Sequence, residues 1–173
     1  MNYAEIKFND IANGKGVRVS LFVSGCTHRC KGCFNEIAWD FSYGNPFTEE
    51  TEQMIISELE KPFISGLTLL GGEPMEPQNQ KALLPFIKRV KEKFPQKNIW
   101  CYTGYTLISP FMLDEKANTE DTKELLSLID VLVDGRFIEE EYDISLKFRG
   151  SRNQRLIDMN ASREKDEIIL LNI

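Results

Sequence analysis

The sequence predicts an α/β fold, in the form of a partial, open (βα) barrel of roughly five or six units. Strand-like and helix-like segments alternate along the chain, which is typical of a parallel sheet with helices packed outside it. The chain has 173 residues, whereas a complete eight-unit barrel needs about 250. Apolar residues make up 42% and charged residues 28% of the chain, a composition typical of a domain with a sizeable core. We therefore expect one domain over residues 1–173.

The first elements are a strand, a loop and a helix. Val17–Val23 is rich in β-branched residues and predicts a strand. A cysteine-rich loop follows, from Ser24 to about Gly44. Thr48 is a favoured N-cap residue and is followed by two acidic residues, so a helix is predicted from that point. The buried face of this helix is expected to contain Met54, Ile55 and Leu59.

The middle of the chain predicts a strand, a second helix and another strand. Leu67–Leu70 is a short apolar strand that ends in two glycines. Apolar residues at helical spacing predict a helix over about Asn79–Phe94, with its stripe at Leu83, Ile87, Val90 and Phe94. Pro85 is expected to kink this helix or to delay its start. Ile99–Tyr102 predicts the third strand.

The last elements are less regular. A helix is predicted over about Glu120–Ile129, and it leads into a fourth strand at Val131–Val133. Ile168–Leu171 is a candidate closing strand. Ligands of such folds bind at the carboxyl ends of the parallel strands, so the residues that follow each strand are the candidates for function.

Charge and hydropathy exclude some classes of protein. The formal net charge is −6, which argues against a general nucleic-acid binder. No apolar stretch approaches the roughly 18 residues of a membrane span, and the first residues lack a signal-peptide apolar region. We therefore expect a cytoplasmic protein. Three of its four cysteines fall together, and in a reducing cytosol such a cluster indicates a metal rather than disulfides.

The clustered cysteines directly follow the first strand. Cys26, Cys30 and Cys33 have the spacing C-x3-C-x2-C, and three thiolates on one loop can hold three corners of a cubane iron–sulfur cluster. The fourth iron then lacks a local cysteine and stays open to a substrate. The alternative is a structural zinc site with His28 or Cys101 as fourth ligand.

A second motif follows the second strand. Gly71-Gly72-Glu73-Pro74 is, taken alone, a turn. It comes about forty residues after the cysteines and at a strand end, which makes it much more specific. Two glycines let the backbone approach a ligand closely, and Glu73 offers an acceptor for an ammonium group.

Together these motifs resemble the radical S-adenosylmethionine superfamily, and within it the activators of anaerobic ribonucleoside-triphosphate reductases. The resemblance covers most of the chain and rests on several stretches: GVRVSLFVSGCTHRCKGCFN, GGEP, TGY at Thr103–Tyr105, DVLVDGRF and FRGSRNQRLID. Gly32, before the third cysteine, is usual in these activators. One departure is Asn13-Gly14-Lys15-Gly16, where the family commonly has Asp-Gly-Pro-Gly.

The resemblance implies two cofactors and a protein substrate. A [4Fe-4S] cluster would bind S-adenosyl-L-methionine at its open iron and cleave it reductively, giving a 5′-deoxyadenosyl radical. That radical would take a hydrogen atom from a glycine of the anaerobic ribonucleoside-triphosphate reductase. A flavodoxin- or ferredoxin-type protein would supply the electron. The protein's part is to orient and shield the reacting groups.

The resemblance also implies site residues. Cys26, Cys30 and Cys33 are the expected cluster ligands. Cofactor contacts are expected from Gly32, Phe34, Gly71, Gly72, Glu73, Thr103 and Gly104, with Gly72 and Glu73 at the methionine amino group. Asp134 and Arg136 follow the fourth strand, and they either orient a ligand or the partner or form a structural ion pair. Contacts to the cofactor or the partner are expected from Arg149, Arg152 and Arg155.

Two other functions stay open at this point. A radical enzyme of the same superfamily can act on another glycyl-radical enzyme or on a small molecule. A non-enzymatic alternative is an interaction module that binds zinc or a cluster. A brown anaerobic preparation would indicate iron–sulfur, and a colourless one would indicate zinc.

Overall fold

The computed structural model describes residues 1–173. Its strands are β1 (Asn2–Asp10), β2 (Val17–Val23), β3 (Asn45–Pro46), β4 (Ile64–Gly71), β5 (Asn98–Tyr102), β6 (Leu107–Ser109), β7 (Met112–Leu113), β8 (Val131–Asp134) and β9 (Arg155–Asp158). Its α-helices are α1 (Glu49–Leu59), α2 (Pro77–Lys93), α3 (Thr122–Leu128) and α4 (Met159–Lys165). Short 3-10 helices cover Glu36–Trp39 and Glu139–Glu141. No helix is long and apolar enough to cross a membrane.

The main sheet has seven strands in the order β3-β1-β2-β4-β5-β8-β9. The four strands β2, β4, β5 and β8 are parallel. Antiparallel strands flank them, with β1 beside β2 and β9 beside β8. The predicted class, an open α/β sheet that is largely parallel, is confirmed. The expected number of five or six βα units was too high. The parallel part has four strands, because the two ends of the chain extend the sheet as antiparallel strands instead of adding βα units.

Strand β1 was not among the predicted elements. Ile6 and Phe8 are half-buried against the core, while Glu5 and Lys7 are exposed. This alternation is the pattern of a strand with one covered face. The polar character of the segment as a whole had hidden it.

Helix α1 begins where it was predicted to begin. The side chain of Thr48 caps it by accepting a hydrogen bond from the backbone N–H of Thr51. The prediction for Met54 was wrong, because this side chain is exposed and Ile56 is buried instead. The helix packs through Ile55, Ile56 and Leu59, and Met54 falls on the outer edge of that face.

Helix α2 starts earlier than predicted. It begins at Pro77, whose fixed backbone angle and missing N–H suit the first helical position. Pro85 lies inside the continuous helix and does not delay its start. The predicted stripe is buried in full.

The predicted closing strand at Ile168–Leu171 was wrong. This segment forms only one isolated bridge, between Leu170 and Ile157. Residues 155–158 had not been assigned, and they form β9 and occupy the place beside β8. The segment at 168–171 therefore lies outside β9, with backbone hydrogen bonds such as Leu171 N–H to Leu156 O at 2.8 Å.

Different side chains pack on the two faces of the sheet. The four helices cover one face, where the main apolar core contains Leu21, Leu69 and Cys101 among its buried residues. The opposite, inner face contains polar side chains and a smaller apolar cluster around Trp100. The site described below lies on this inner side.

Arg18 is fully buried on the inner face. Its guanidinium donates hydrogen bonds to Thr68 Oγ1 at 2.7 Å, Leu67 O at 2.9 Å and Asn98 O at 3.1 Å. It also donates to Lys15 O at 3.0 Å and lies over the Trp100 ring. Burial lowers the pKa of Arg18 to about 10. One side chain thus joins the loop before β2 to the strands β4 and β5.

We expect Arg18→Met to lower the free energy of unfolding by about 3 kcal/mol, because it leaves several buried carbonyl groups without a donor. Urea unfolding measures the loss. The matched control is Arg89→Met, which removes an exposed ion pair with Glu52 and should cost less than about 1 kcal/mol. Equal losses in the two variants would contradict this role of Arg18.

Candidate functional site

A cavity of about 500 Å³ lies at the carboxyl ends of the parallel strands. Its size falls in the range of small-molecule sites. The segments that follow β2, β4, β5 and β8 all contribute to its wall. The predicted site residues that line it are Cys26, Cys30, Cys33, Phe34, Gly71, Gly72, Glu73, Thr103, Gly104 and Arg149.

Three predicted residues do not line this cavity. Gly32 is exposed and faces Glu139, whose side chain would lie 3.0 Å from a Cβ at this position. Arg152 is exposed. Arg155 donates from Nε to Asp134 Oδ1 at 2.9 Å and so forms an ion pair with that carboxylate. Of the three arginines, only Arg149 lines the cavity.

The three loop cysteines are free thiols. Cys26 is buried, while Cys30 and Cys33 are half-buried. Burial raises the pKa of Cys26 to about 12 and also raises the pKa of Cys30. A metal ligand must be a thiolate, so a positively charged group is needed to stabilise that form here. No three His, Cys, Asp or Glu side chains converge as a single metal ion requires, whereas a cubane takes its ligands at separate corners.

The GGEP turn and the cysteine loop are in direct backbone contact. Gly72 N–H donates to Val23 O at 2.7 Å, and Glu73 N–H donates to Gly25 O at 2.8 Å. A Cβ on Gly72 would lie 2.6 Å from Gly25 O and 2.7 Å from Ala38 O. Gly72 is therefore required for this close approach. A side chain there would push the cysteine loop away.

The Glu73 carboxylate is buried and has four hydrogen-bond donors. Oε1 accepts from Gly104 N–H at 2.6 Å and lies 2.8 Å from His28 Nε2. Oε2 accepts from Thr103 Oγ1 at 2.8 Å and from Met75 N–H at 2.9 Å. The side chain that had been predicted to meet an ammonium group thus joins the cysteine loop to the turn after β5.

His28 has a larger part in this arrangement than its loop position indicated. Arg136 Nε donates to His28 Nδ1 at 3.3 Å, so the ring proton must be on Nε2, which then donates to Glu73. The ring also packs edge-on against Tyr105, with the ring centres 4.3 Å apart. A Cβ on Gly104 would lie 2.6 Å from the His28 ring, so glycine is needed at that position.

These contacts decide two alternatives, namely the fourth zinc ligand and the pairing of Asp134 with Arg136. His28 is hydrogen-bonded at both nitrogens, and Cys101 is fully buried in the core, so neither offers a fourth zinc ligand. The expected ion pair between Asp134 and Arg136 was also wrong. Asp134 binds Arg155 instead, and Arg136 binds His28.

A second carboxylate anchors the cysteine loop. Thr27 donates to Glu76 Oε1 from its backbone N–H at 2.8 Å and from its hydroxyl at 2.6 Å. Asn79 Nδ2 donates to Ser24 O and to Glu73 O, both at 3.0 Å. Glu76 and Asn79, at the start of α2, therefore bind the cysteine loop, and Asn79 also binds the GGEP turn. Sequence reasoning had not assigned a role to either Glu76 or Asn79.

Three buried polar atoms in the cavity wall have no hydrogen-bond partner: Trp39 Nε1, Tyr102 Oη and Arg149 Nε. Buried polar groups are normally satisfied, so a hydrogen-bond partner for each of these atoms is expected from a bound ligand or an ordered water. S-adenosylmethionine fits this set, since its carboxylate, ribose hydroxyls and adenine nitrogens accept hydrogen bonds. Tyr102 is the last residue of β5, so its strand-end position was an available indication that it lines the cavity.

Comparison with known proteins agrees with this geometry. Residues 12–157 match the protein family described as a 4Fe-4S single cluster domain. The chain is 49% identical over 156 residues to the anaerobic ribonucleoside-triphosphate reductase-activating protein of Haemophilus influenzae, covering 89% of this chain and 96% of that protein. The Pasteurella multocida protein of that name is 48% identical over 156 residues, covering 89% of this chain and 95% of the relative.

A more distant relative bears the same name. The activating protein of Enterobacteria phage T4 is 42% identical over 158 residues, which cover 90% of this chain and 93% of that protein. Relatives at this identity and coverage, together with the match to a cluster-binding domain, leave one conclusion. The chain belongs to the family of anaerobic ribonucleoside-triphosphate reductase-activating proteins.

Proposed function

We propose that this protein cleaves S-adenosylmethionine reductively at a [4Fe-4S] cluster and thereby generates a glycyl radical on an anaerobic ribonucleoside-triphosphate reductase. One observation carries the proposal. The cysteine loop and the GGEP turn meet, through backbone hydrogen bonds, at one cavity whose wall contains unpartnered donors. Membership of a family of reductase activators supplies the class of reaction.

Cys26, Cys30 and Cys33 hold the cluster in this proposal. All three line the cavity, and the remaining cysteine lies in the apolar core. With only three protein ligands, a bound cluster would keep one iron free for the amino and carboxylate groups of S-adenosylmethionine. When bound, the cluster and S-adenosylmethionine supply the electron transfer and the 5′-deoxyadenosyl radical.

The chain's own residues bind and orient the cofactor. The backbone at Gly71 and Gly72 receives its methionine end, while the Glu73 carboxylate positions the surrounding segments through its four donors. Tyr102 and Trp39 pair with polar atoms of the nucleoside, and Arg149 pairs with the carboxylate.

The walls of the cavity complete the proposed cofactor site. Thr103, Gly104 and Phe34 line the cavity around the nucleoside. Fifteen of the 28 lining residues are hydrophobic, and an apolar wall shields a reactive radical from water.

The electron and the substrate come from other proteins. A flavodoxin- or ferredoxin-type protein donates the electron, and the reductase presents its glycine at the open side of the cavity. We place these events in the cytoplasm, where thiols stay reduced and available to iron.

The cysteine assignment predicts iron content directly. Cys30→Ala should lose most of the bound iron after anaerobic reconstitution, because only two ligands remain. Cys101→Ala is the matched control, since it removes a buried thiol that does not line the cavity, and it should keep its iron. Iron analysis and visible absorbance measure both variants. An equal loss in Cys101→Ala would contradict the three-cysteine site.

The unpartnered hydroxyl of Tyr102 predicts a selective effect on cofactor binding. Tyr102→Phe removes one hydrogen bond to the cofactor, so the affinity for S-adenosylmethionine should fall by about fivefold. Stability should not fall, because the lost hydroxyl has no partner within the protein. Calorimetry on the cluster-loaded protein and urea unfolding measure the two quantities. Tyr43→Phe, outside the cavity, is the control, and unchanged affinity in Tyr102→Phe would contradict the contact.

The substrate assignment is tested by spectroscopy. Reduced protein, S-adenosylmethionine and the reductase from the same source are mixed without oxygen, and a glycyl doublet is sought by electron paramagnetic resonance. The doublet should depend on all three components. Cleavage of the cofactor to 5′-deoxyadenosine without a doublet would contradict the assigned substrate and favour a small molecule or another glycyl-radical enzyme.

A further inference from the structure

The cavity opens between exposed apolar side chains. We call Phe34, Phe137, Tyr142 and Ile144 the aromatic lip. Phe34 is 74% exposed, Ile144 is 87% exposed and Tyr142 is 46% exposed. The three rings form one cluster, with centres 5.0 Å apart for Phe34 and Phe137 and 5.8 Å apart for Phe34 and Tyr142. Contiguous exposed apolar surface of this kind typically marks an interaction site.

The aromatic lip is continuous with the proposed cofactor site. All four of its residues line the same cavity as the three cysteines. A macromolecule that covers the lip would therefore also close the cavity and would place its own backbone at the opening. A cofactor bound inside the cavity does not by itself cover side chains as exposed as Ile144.

The backbone that carries the lip is well anchored. Asp143 N–H donates to Gly150 O at 3.1 Å, and Arg152 N–H donates to Glu141 O at 3.0 Å. Ile138 N–H donates to Ser151 Oγ at 3.2 Å. The apolar side chains are thus held at the surface by a fixed segment, so a partner would lose little free energy in ordering them.

The charge beside the lip is negative. Residues 137–146 contain Glu139, Glu140, Glu141 and Asp143 but no lysine or arginine. The cationic stretch at 147–155 is less available than its sequence indicated. Arg149 is half-buried and lines the cavity, and Arg155 is paired with Asp134. Glu139 lies 3.6 Å from Lys31 Nζ and is already paired. A partner segment with lysine or arginine would complement the other carboxylates beside the lip.

We propose that the aromatic lip docks the glycine-bearing segment of the reductase. The segment lies extended across the opening, packs apolar side chains on Tyr142 and Ile144, and directs cationic side chains toward Glu140 and its neighbours. This inference rests on the proposed function, since that function makes a polypeptide the substrate. It names the surface by which the substrate is recognised.

The test compares the double variant Tyr142→Ser/Ile144→Ser with Phe63→Ser. Phe63 is 59% exposed and immediately precedes β4, at the opposite end of the strands from the cavity. The double variant should bind the full-length reductase about tenfold more weakly or worse, since two apolar anchors are lost. It should keep wild-type iron content. Phe63→Ser should match wild type in every measurement.

The charge component has its own pair of variants. Glu140→Lys should weaken reductase binding several-fold, and added salt should reduce the difference from wild type. Glu164→Lys makes the same change on the exposed side of α4 and should have no effect. Equal effects of the two variants would overturn the claim of a cationic partner segment.

The outcomes distinguish a failure of the proposed docking surface from a failure of the proposed function. If wild type produces the glycyl doublet and the double variant binds reductase equally well, the docking surface is wrong and the function stands. If wild type cleaves the cofactor but neither binds nor activates the reductase, the function fails. If the double variant loses iron, the single variant Ile144→Ser tests the docking surface instead, because the Ile144 side chain is almost fully exposed. Tyr142→Phe keeps the ring and should bind the reductase as wild type does.

Discussion

The buried carboxylate of Glu73 is the interaction on which the site depends. Its four donors come from the cysteine loop, the turn after β5 and the segment between β4 and α2. A buried carboxylate is costly unless it is fully hydrogen-bonded, and the cost of breaking such a network falls on every segment that shares it. The residue therefore fixes the relative positions of segments that are far apart in sequence.

Two glycines make this network sterically possible. Gly72 lets the GGEP turn lie against the carbonyl groups of the cysteine loop, and Gly104 leaves room for the His28 ring. His28 in turn connects Glu73 to Arg136 at the rim. The cysteine loop and the GGEP turn, which lie about forty residues apart in the sequence, are thus one hydrogen-bonded unit.

Local signals predicted the elements well, and tertiary contacts explain the failures. Thr48 and Val17–Val23 could be assigned because capping and β-branching act locally. Met54 was wrongly assigned to the buried face of α1, because that face depends on how the helix lies on the sheet. Ile168–Leu171 is not the closing strand because β9 occupies the place beside β8 at the edge of the sheet.

The candidate site shows the same division. Cys26, Cys30, Cys33 and the GGEP turn were found because their spacing is characteristic, and the structure brings them to one cavity. Arg149, Arg152 and Arg155 looked equivalent in sequence, yet only one of them lines that cavity. Which arginine is committed to Asp134 depends on the antiparallel pairing of β8 with β9, which nothing in the spacing of the arginines indicates.

The segment at 168–171 has a consequence for solubility. An open sheet has two edges whose unpaired backbone groups can recruit strands from other molecules. On one edge this segment satisfies part of β9 through Leu171 N–H and Ile169 O. On the other edge, β3 is only two residues long, and β1 carries the exposed charges of Glu5 and Lys7. Both edges are thus protected against strand-by-strand aggregation, although the sheet does not close on itself.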